Sequence, residues 1–68
     1  MLAIQTGETW MVSLGGERRN VRVLAASGSL GWWRCEDLET GISFLAREPW
    51  FLERVVAVHG GLHAAALA

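Results

Sequence analysis

The sequence predicts a small all-β domain of five short strands, and three observations support this fold class. Apolar and polar residues alternate with a period of two in several segments, as at Trp10, Val12 and Leu14, which is typical of half-buried strands. Turn-forming residues separate these segments at intervals of about 8–12 residues, as in small barrels and sandwiches. Residues 31–46 also have the chemistry of a β-hairpin, so the chain is expected to be a sequence of short antiparallel strands.

The hairpin prediction comes from the stretch GWWRCEDLETGISFLA. Residues 32–36 and 42–46 are rich in aromatic and β-compatible residues, which favour strands. Asp37 can accept a hydrogen bond from the backbone two residues on, and Gly41 can take the positive φ that closes such a loop. We therefore expect a tight connection between two paired strands here.

The other elements follow in chain order. Leu2 and Ile4 predict no more than a short edge strand within residues 1–6, in addition to the five main strands. Residues 9–14 and 21–25 predict the first two of these five, separated by a turn at Gly15-Gly16 and a polar loop over residues 17–20. Pro49 ends the fourth strand and begins a 3₁₀ turn, and residues 53–58 form the last strand. We expect a domain over residues 1–58, and a tail over residues 59–68 that frays or docks on an apolar surface.

Alternation assigns the side chains to two faces. The predicted core consists of Trp10, Val12, Leu14, Val21, Val23, Trp33, Cys35, Ile42, Phe44, Phe51, Leu52 and Val55. The opposite, outer face then carries four large apolar side chains, those of Met11, Leu24, Trp32 and Leu45.

Composition indicates that some apolar surface stays outside the core. Apolar residues make up 51% of the 68 residues before the 8 glycines are counted, whereas an ordinary soluble domain has about 45–50% with glycine included. So short a chain has too little volume to bury this excess. We therefore predict a non-catalytic binding or assembly module that contacts itself or a larger protein, through Met11, Leu24, Trp32, Arg34 and Leu45.

Single-stranded nucleic acid is the alternative partner. Arg18, Arg19, Arg22 and Arg34 beside Trp32 would form a basic groove with one stacking platform. The formal net charge of −1 and the absence of lysine disfavour a polyanionic partner. The charge distribution also suggests a head-to-tail contact between the arginines at residues 18–22 and the acidic residues at 36–39 of a neighbouring molecule.

Catalysis is not expected from this sequence. It has no paired carboxylate motif, no glycine-rich phosphate loop and no Cys-x-x-Cys motif, so no cofactor, metal ligand or catalytic residue is assigned. His59 and His63 are four residues apart, a spacing that on a helix could hold a metal. Gly60 and Gly61 lie between them and no third ligand is near in sequence, so a loose tail is expected instead. An oligomer with a small-molecule pocket shared between protomers is the third candidate function.

The single Cys35 and the lack of a visible signal or membrane-spanning segment predict a soluble cytoplasmic protein.

The order of these parts resembles the SH3-like small barrels, a fold group that includes SH3, Tudor, KOW and Sm-type modules. The resemblance covers residues 9–58 and implies a five-stranded barrel with a 3₁₀ turn before the last strand. The acidic aromatic loop of peptide-binding SH3 domains is absent, because the residues after Leu14 are Gly-Gly-Glu-Arg-Arg-Asn. Polyproline binding is therefore not expected.

Two short segments are also similar to the type II dihydrofolate reductases, which are tetramers of SH3-like barrels. The similar segments are Gly31-Trp32-Trp33 and Leu52-Glu53-Arg54. That family has a Gly-Trp-aromatic-Cys strand, whereas the cysteine of this chain stands one position later. The Val-Gln-Ile-Tyr segment that lines that family's active pore is also missing here. Reductase activity is therefore not expected.

Overall fold

The computed structural model describes residues 3–58 and 61–64, with the backbone alone for residues 57, 58 and 61–64. The fold is all-β, as the sequence predicts: antiparallel strands form one sheet, a 3₁₀ turn precedes the fifth strand, and the described residues contain no α-helix. The elements in chain order are β1 (Thr9–Leu14), β2 (Glu17–Ala26), β3 (Trp32–Asp37), β4 (Ser43–Arg47), the 3₁₀ turn (Glu48–Trp50), β5 (Phe51–Val58) and β6 (Gly61–Ala64).

The sheet is open rather than closed into the expected barrel. Its strand order is β4-β3-β2-β1-β5-β6, so among the described strands β4 and β6 are edges that do not pair with each other. The sheet nevertheless curves strongly, because Ala46 on β4 and Phe51 on β5 belong to one buried cluster although three strands lie between them. The N–H of Glu48 also donates to the carbonyl of Gly31 at 2.8 Å, which holds the 3₁₀ turn against the start of β3.

The β1–β2 hairpin is longer and tighter than the sequence suggests. Gly15 and Gly16 have φ of 55° and 89°, the positive pair that a type I′ turn requires. This two-residue turn pairs Leu14 directly with Glu17. The predicted polar loop over residues 17–20 is therefore wrong, since these residues are the first part of β2.

Asp37 organises the turn of the β3–β4 hairpin, as the sequence predicts. Its Oδ1 accepts the N–H of Glu39 at 2.8 Å and that of Thr40 at 3.2 Å. Gly41 closes the turn with a φ of 77° and donates to the Asp37 carbonyl at 2.8 Å. These bonds determine where β4 begins and therefore its register with β3.

Most of the predicted core is buried. Val12, Val21, Val23 and Cys35 are fully buried, and Leu14, Trp33 and Phe44 pack against the cluster. Sequence patterning did not identify Ile4 and Ala46 as buried residues. The remaining buried residues that were expected are Trp10, Phe51 and Val55.

Two predicted core residues are exposed instead. Ile42 is 63% exposed, because it precedes β4 at the hairpin tip and lies beyond the end of the core. Leu52 is 41% exposed, because Met11 pairs with Glu53 and Val12 with Phe51, which leaves Leu52 as the extra residue of a β-bulge. Such a residue interrupts the alternation of faces along a strand.

The ends of the chain differ in part from expectation. Residues 3–5 are not in a strand, so the predicted edge strand is wrong over these residues, although Ile4 is buried. Part of the predicted tail docks on the sheet, since β6 pairs with β5 from Val55↔Ala64 to Val58↔Gly61. Residues 1, 2, 59, 60 and 65–68 lie outside the described residues.

No helix in the described ranges has the length and apolar character needed to cross a membrane.

Candidate interaction surface

The outer face of β2, β3 and β4 brings together four of the five residues predicted to contact a partner. Arg34 pairs with Ala25 on β2 and with Leu45 on β4. Leu24 is the extra residue of the bulge beside Ala25 and is exposed like it. Leu24 and Leu45 are 36% and 46% exposed. We call Leu24, Trp32, Arg34 and Leu45 the outer patch.

Trp32 forms one end of the outer patch and is half-buried. It pairs with Arg47 across the β3–β4 ladder, and the guanidinium carbon of Arg47 lies 5.5 Å from the centre of its ring. The ring of Trp50 meets it edge to face at 5.7 Å. Such contacts hold an aromatic ring in one orientation, so Trp32 is positioned by both β4 and the 3₁₀ turn.

Met11 lies apart from the outer patch. It pairs with Asn20 on β2 and Glu53 on β5. Asn20 is four residues from Leu24 along β2, about 13 Å at strand spacing. Met11 instead borders an open groove of about 410 Å³, shared with Arg18, Arg19, Asn20, Leu38 and Glu39.

The four arginines of the predicted nucleic-acid surface do not share one face. Arg18, Arg22 and Arg34 are exposed, and alternation places all three on the outer face. Arg19 lies on the other face, two residues before the buried Val21. The basic groove is therefore split across the sheet.

Arg19 is engaged within its own chain. Its Nε donates to Oδ2 of Asp37 at 2.9 Å, and its Nη1 lies 3.6 Å from a carboxylate oxygen of Glu17. The hydrogen bond from Arg19, together with the backbone bond from Glu39, holds the pKa of the Asp37 carboxyl below its ordinary value. The basic and acidic groups expected to meet between neighbouring molecules thus meet, at this pair, inside one protomer.

Glu8 is a second charged anchor, which sequence reasoning missed. Its Oε1 accepts the indole N–H of Trp10 at 3.0 Å and the backbone N–H of Gln5 at 2.9 Å, and Nη1 of Arg54 donates to its Oε2 at 3.3 Å. Burial raises the pKa of this carboxyl, but the bonds from Trp10, Gln5 and Arg54 outweigh burial and lower it. Glu8 thus ties the segment before β1 to β5. No sequence motif shows that a carboxylate bonded to two nearby donors, Gln5 and Trp10, also receives a distant one from Arg54.

Cys35 does not have the environment of a nucleophile. Its side chain is fully buried, and burial raises the pKa of the thiol to about 11. Because the thiolate is the reactive form, this cysteine is inert in the folded chain at neutral pH.

Within the described ranges, no three side chains among His, Cys, Asp and Glu come together as a metal site would need. His59 and His63, to which the sequence assigns no metal, lie outside the described residues, apart from the backbone of His63 in β6.

A second open groove, also about 410 Å³, lies between the β2–β3 loop and the 3₁₀ turn. Trp32, Trp33 and Glu48 line it, together with residues 26–31. Leu30 at the loop tip is fully exposed. The groove borders the outer patch through Trp32, so the two surfaces are continuous.

No protein-family model, curated protein or solved structure matches this chain.

Proposed function

We propose that the chain is a small non-catalytic module that acts through protein–protein contacts and associates with itself, with its contact surface centred on the outer patch. The observation that supports this most is the exposure of Leu24 and Leu45, 36% and 46%, on either side of Arg34. Two large aliphatic side chains facing water on one small sheet are costly, because about 25 cal/mol is recovered for each Å² of apolar surface removed from water.

The types of residue in the outer patch also fit a contact surface. Trp and Arg are enriched among residues that contribute most to binding. Trp32 is already oriented by Trp50 and Arg47, so it would lose little conformational freedom on binding. A larger protein with a complementary face would use the same surface.

The SH3-like barrel fits the order of elements, and an open form of such a barrel would leave β4 as a free edge. The free, buried thiol of Cys35 is in keeping with a reducing compartment such as the cytoplasm. The module we propose is therefore a cytoplasmic assembly unit with a curved sheet and one exposed working face.

A paired substitution tests this function. The double variant Leu24→Ser and Leu45→Ser removes the apolar side chains of the patch, and its matched control is Ile42→Ser, which removes an exposed aliphatic side chain from the hairpin tip. We expect the double variant to sediment as a monomer while the control and the wild-type chain associate. Equal association of the double variant and the control would contradict the proposal.

Single-stranded nucleic acid is the second candidate, favoured by one observation: Arg18, Arg22 and Arg34 are all exposed on the outer face. The surroundings of Trp32 count against it, because Trp50 packs edge to face against the Trp32 ring and Arg47 lies over that ring, where a base would stack. Titration of a labelled oligonucleotide at low salt separates the two functions, because phosphate contacts are strongest there. Binding that Arg22→Glu abolishes would favour this second function.

A further inference from the structure

The strand β4 has an open side. The N–H of Asp37 donates to the carbonyl of Ile42 at 2.9 Å and that of Glu48 to Gly31 at 2.8 Å. These bonds bracket β4, and hydrogen-bonded pairs alternate along an antiparallel ladder. Phe44 and Ala46 therefore direct their backbone groups to β3, and Ser43, Leu45 and Arg47 direct theirs away from it. No other strand among the described residues pairs with β4.

This edge lacks several of the features that usually prevent pairing. Natural edge strands are protected by short length, charged side chains, bulges or prolines, and the one charge on β4 is Arg47 at its end, which lies over Trp32. The β3–β4 register runs without a shift from Trp32↔Arg47 to Glu36↔Ser43, and the five residues of β4 contain no proline. Pro49 comes just after β4 and limits the length of a pairing strand rather than preventing pairing.

We propose that β4 pairs antiparallel with β4 of a second copy about a two-fold axis at Leu45. This inference rests on the proposed function, since it specifies how the self-association occurs. Leu45 then lies opposite Leu45 of the second copy, and Ser43 lies opposite Arg47 of the second copy. The outward N–H and C=O groups of these three residues form the new ladder.

The side chains fit this arrangement on both faces. On the outer face, the two Leu45 side chains cover each other where each is now 46% exposed. On the inner face, the half-buried Phe44 of each copy comes beside Ala46 of the other, which extends the apolar core across the joint.

The charges favour a second copy in this orientation. Arg47 of each copy faces the small Ser43 of the other copy. One strand beyond that Ser43 lies the acidic Glu36, which pairs with it. The two Arg34 side chains are three strand spacings apart, about 14 Å. A parallel pairing in register would instead place Arg47 beside Arg47, where like charges destabilise the contact.

The joined sheet merges the two outer patches into one surface. Leu24 lies on β2, two strands from the joint, so it extends the merged surface without taking part in the new ladder.

Leu45→Pro tests the edge directly. Its N–H points away from β3, so proline removes no hydrogen bond within the chain but removes a central donor of the new ladder. The symmetric ladder loses two donors, one from each copy, so at about 1 kcal/mol each we expect the dissociation constant to rise at least about thirtyfold, with the strand signal of circular dichroism retained. Leu52→Ser is the control: Leu52 is an exposed leucine on β5, outside the outer patch, and this variant should associate like the wild type.

Amide hydrogen exchange of the wild-type chain provides a second measurement that does not depend on the folding of a variant. The amides of Ser43, Leu45 and Arg47 should exchange more slowly at high than at low protein concentration, while those of Phe44 and Ala46 should be slow at both. Association without this alternating protection would overturn the edge pairing and leave self-association intact, as would a Leu45→Pro chain that still associates. A wild-type chain that is monomeric at every concentration would overturn both.

Discussion

The Nε of Arg19 donates to Oδ2 of Asp37 at 2.9 Å and joins β2 to the end of β3. Asp37 is 7% exposed, and its other carboxylate oxygen holds the turn before β4. One side chain thus links the two hairpins and positions the strand that carries Leu45.

Replacing Asp37 with asparagine should destabilise the fold and reduce its sensitivity to acid. The pKa of Asp37 is lowered in the folded chain from its ordinary value of 3.8. The carboxylate therefore contributes stability in full above that value, and this contribution is lost as the pH falls through the folded pKa. Thermal unfolding of both chains at about pH 7 and about pH 3 should show the difference between them shrinking at the lower pH.

The control for this experiment is Glu39→Gln, which changes an exposed carboxylate in the same turn. It should unfold close to the wild type at neutral pH. If Asp37→Asn and Glu39→Gln have equal effects, the bond to Arg19 does not stabilise the hairpin.

Gly41→Ala should destabilise the chain by about 1–2 kcal/mol, since an L-residue is strained in the left-handed region. Gly41 has a φ of 77°, and an added Cβ would meet nothing within 4 Å, so backbone strain is the only expected cost. Gly28→Ala is the matched control: its surroundings are equally open, and its φ lies outside the left-handed region. Urea unfolding compares them, and an unchanged midpoint for Gly41→Ala would show that the turn has a different conformation.

Val12→Ala should cost about 2 kcal/mol, because it removes buried methyl groups and leaves a cavity. Val12 is fully buried between Arg19 on β2 and Phe51 on β5 in the register of the sheet. Ile42→Ala removes more carbon atoms but should cost no more than about 0.5 kcal/mol, because Ile42 is 63% exposed. The reverse order in a denaturant titration would restore the sequence-based prediction that Ile42 belongs to the core.

Cys35 should resist alkylation in the folded chain. Burial raises the pKa of its thiol to about 11, so at about pH 8 the thiolate is scarce and shielded from reagent. Mass spectrometry after iodoacetamide treatment should show labelling only once denaturant is added. Rapid labelling without denaturant would mean that the third strand is accessible.

Local chemistry made part of this fold predictable. The turn at Asp37 and Gly41 follows from the bonds that aspartate and glycine can make with a nearby backbone, and the inward Cys35 and outward Arg34 follow from alternation. The bulge at Leu52 could not be predicted, because it arises from the pairing of β5 with β1 rather than from the sequence of β5. The sequence predicts the turn at Gly15-Gly16, but it also predicts a loop for the charged residues after it, which instead form the start of β2.

The candidate surface was predictable to a similar extent. Alternation identified Leu24, Arg34 and Leu45 as outward residues, but strand order was needed to bring them together and to separate Met11 from them. The pairing of Arg19 with Asp37 joins residues 18 positions apart, and only the pairing of β2 with β3 shows that Arg19 is removed from a basic groove. The position of Arg47 over Trp32 depends on the β3–β4 register, which the sequence does not show.

Sedimentation equilibrium of the wild-type chain, from low to high micromolar concentration, tests most directly whether the outer patch is a contact surface. The mass is expected to rise with concentration from the 7.5 kDa of one protomer to twice that value. A mass of 7.5 kDa at every concentration would contradict self-association through Leu24, Trp32, Arg34 and Leu45.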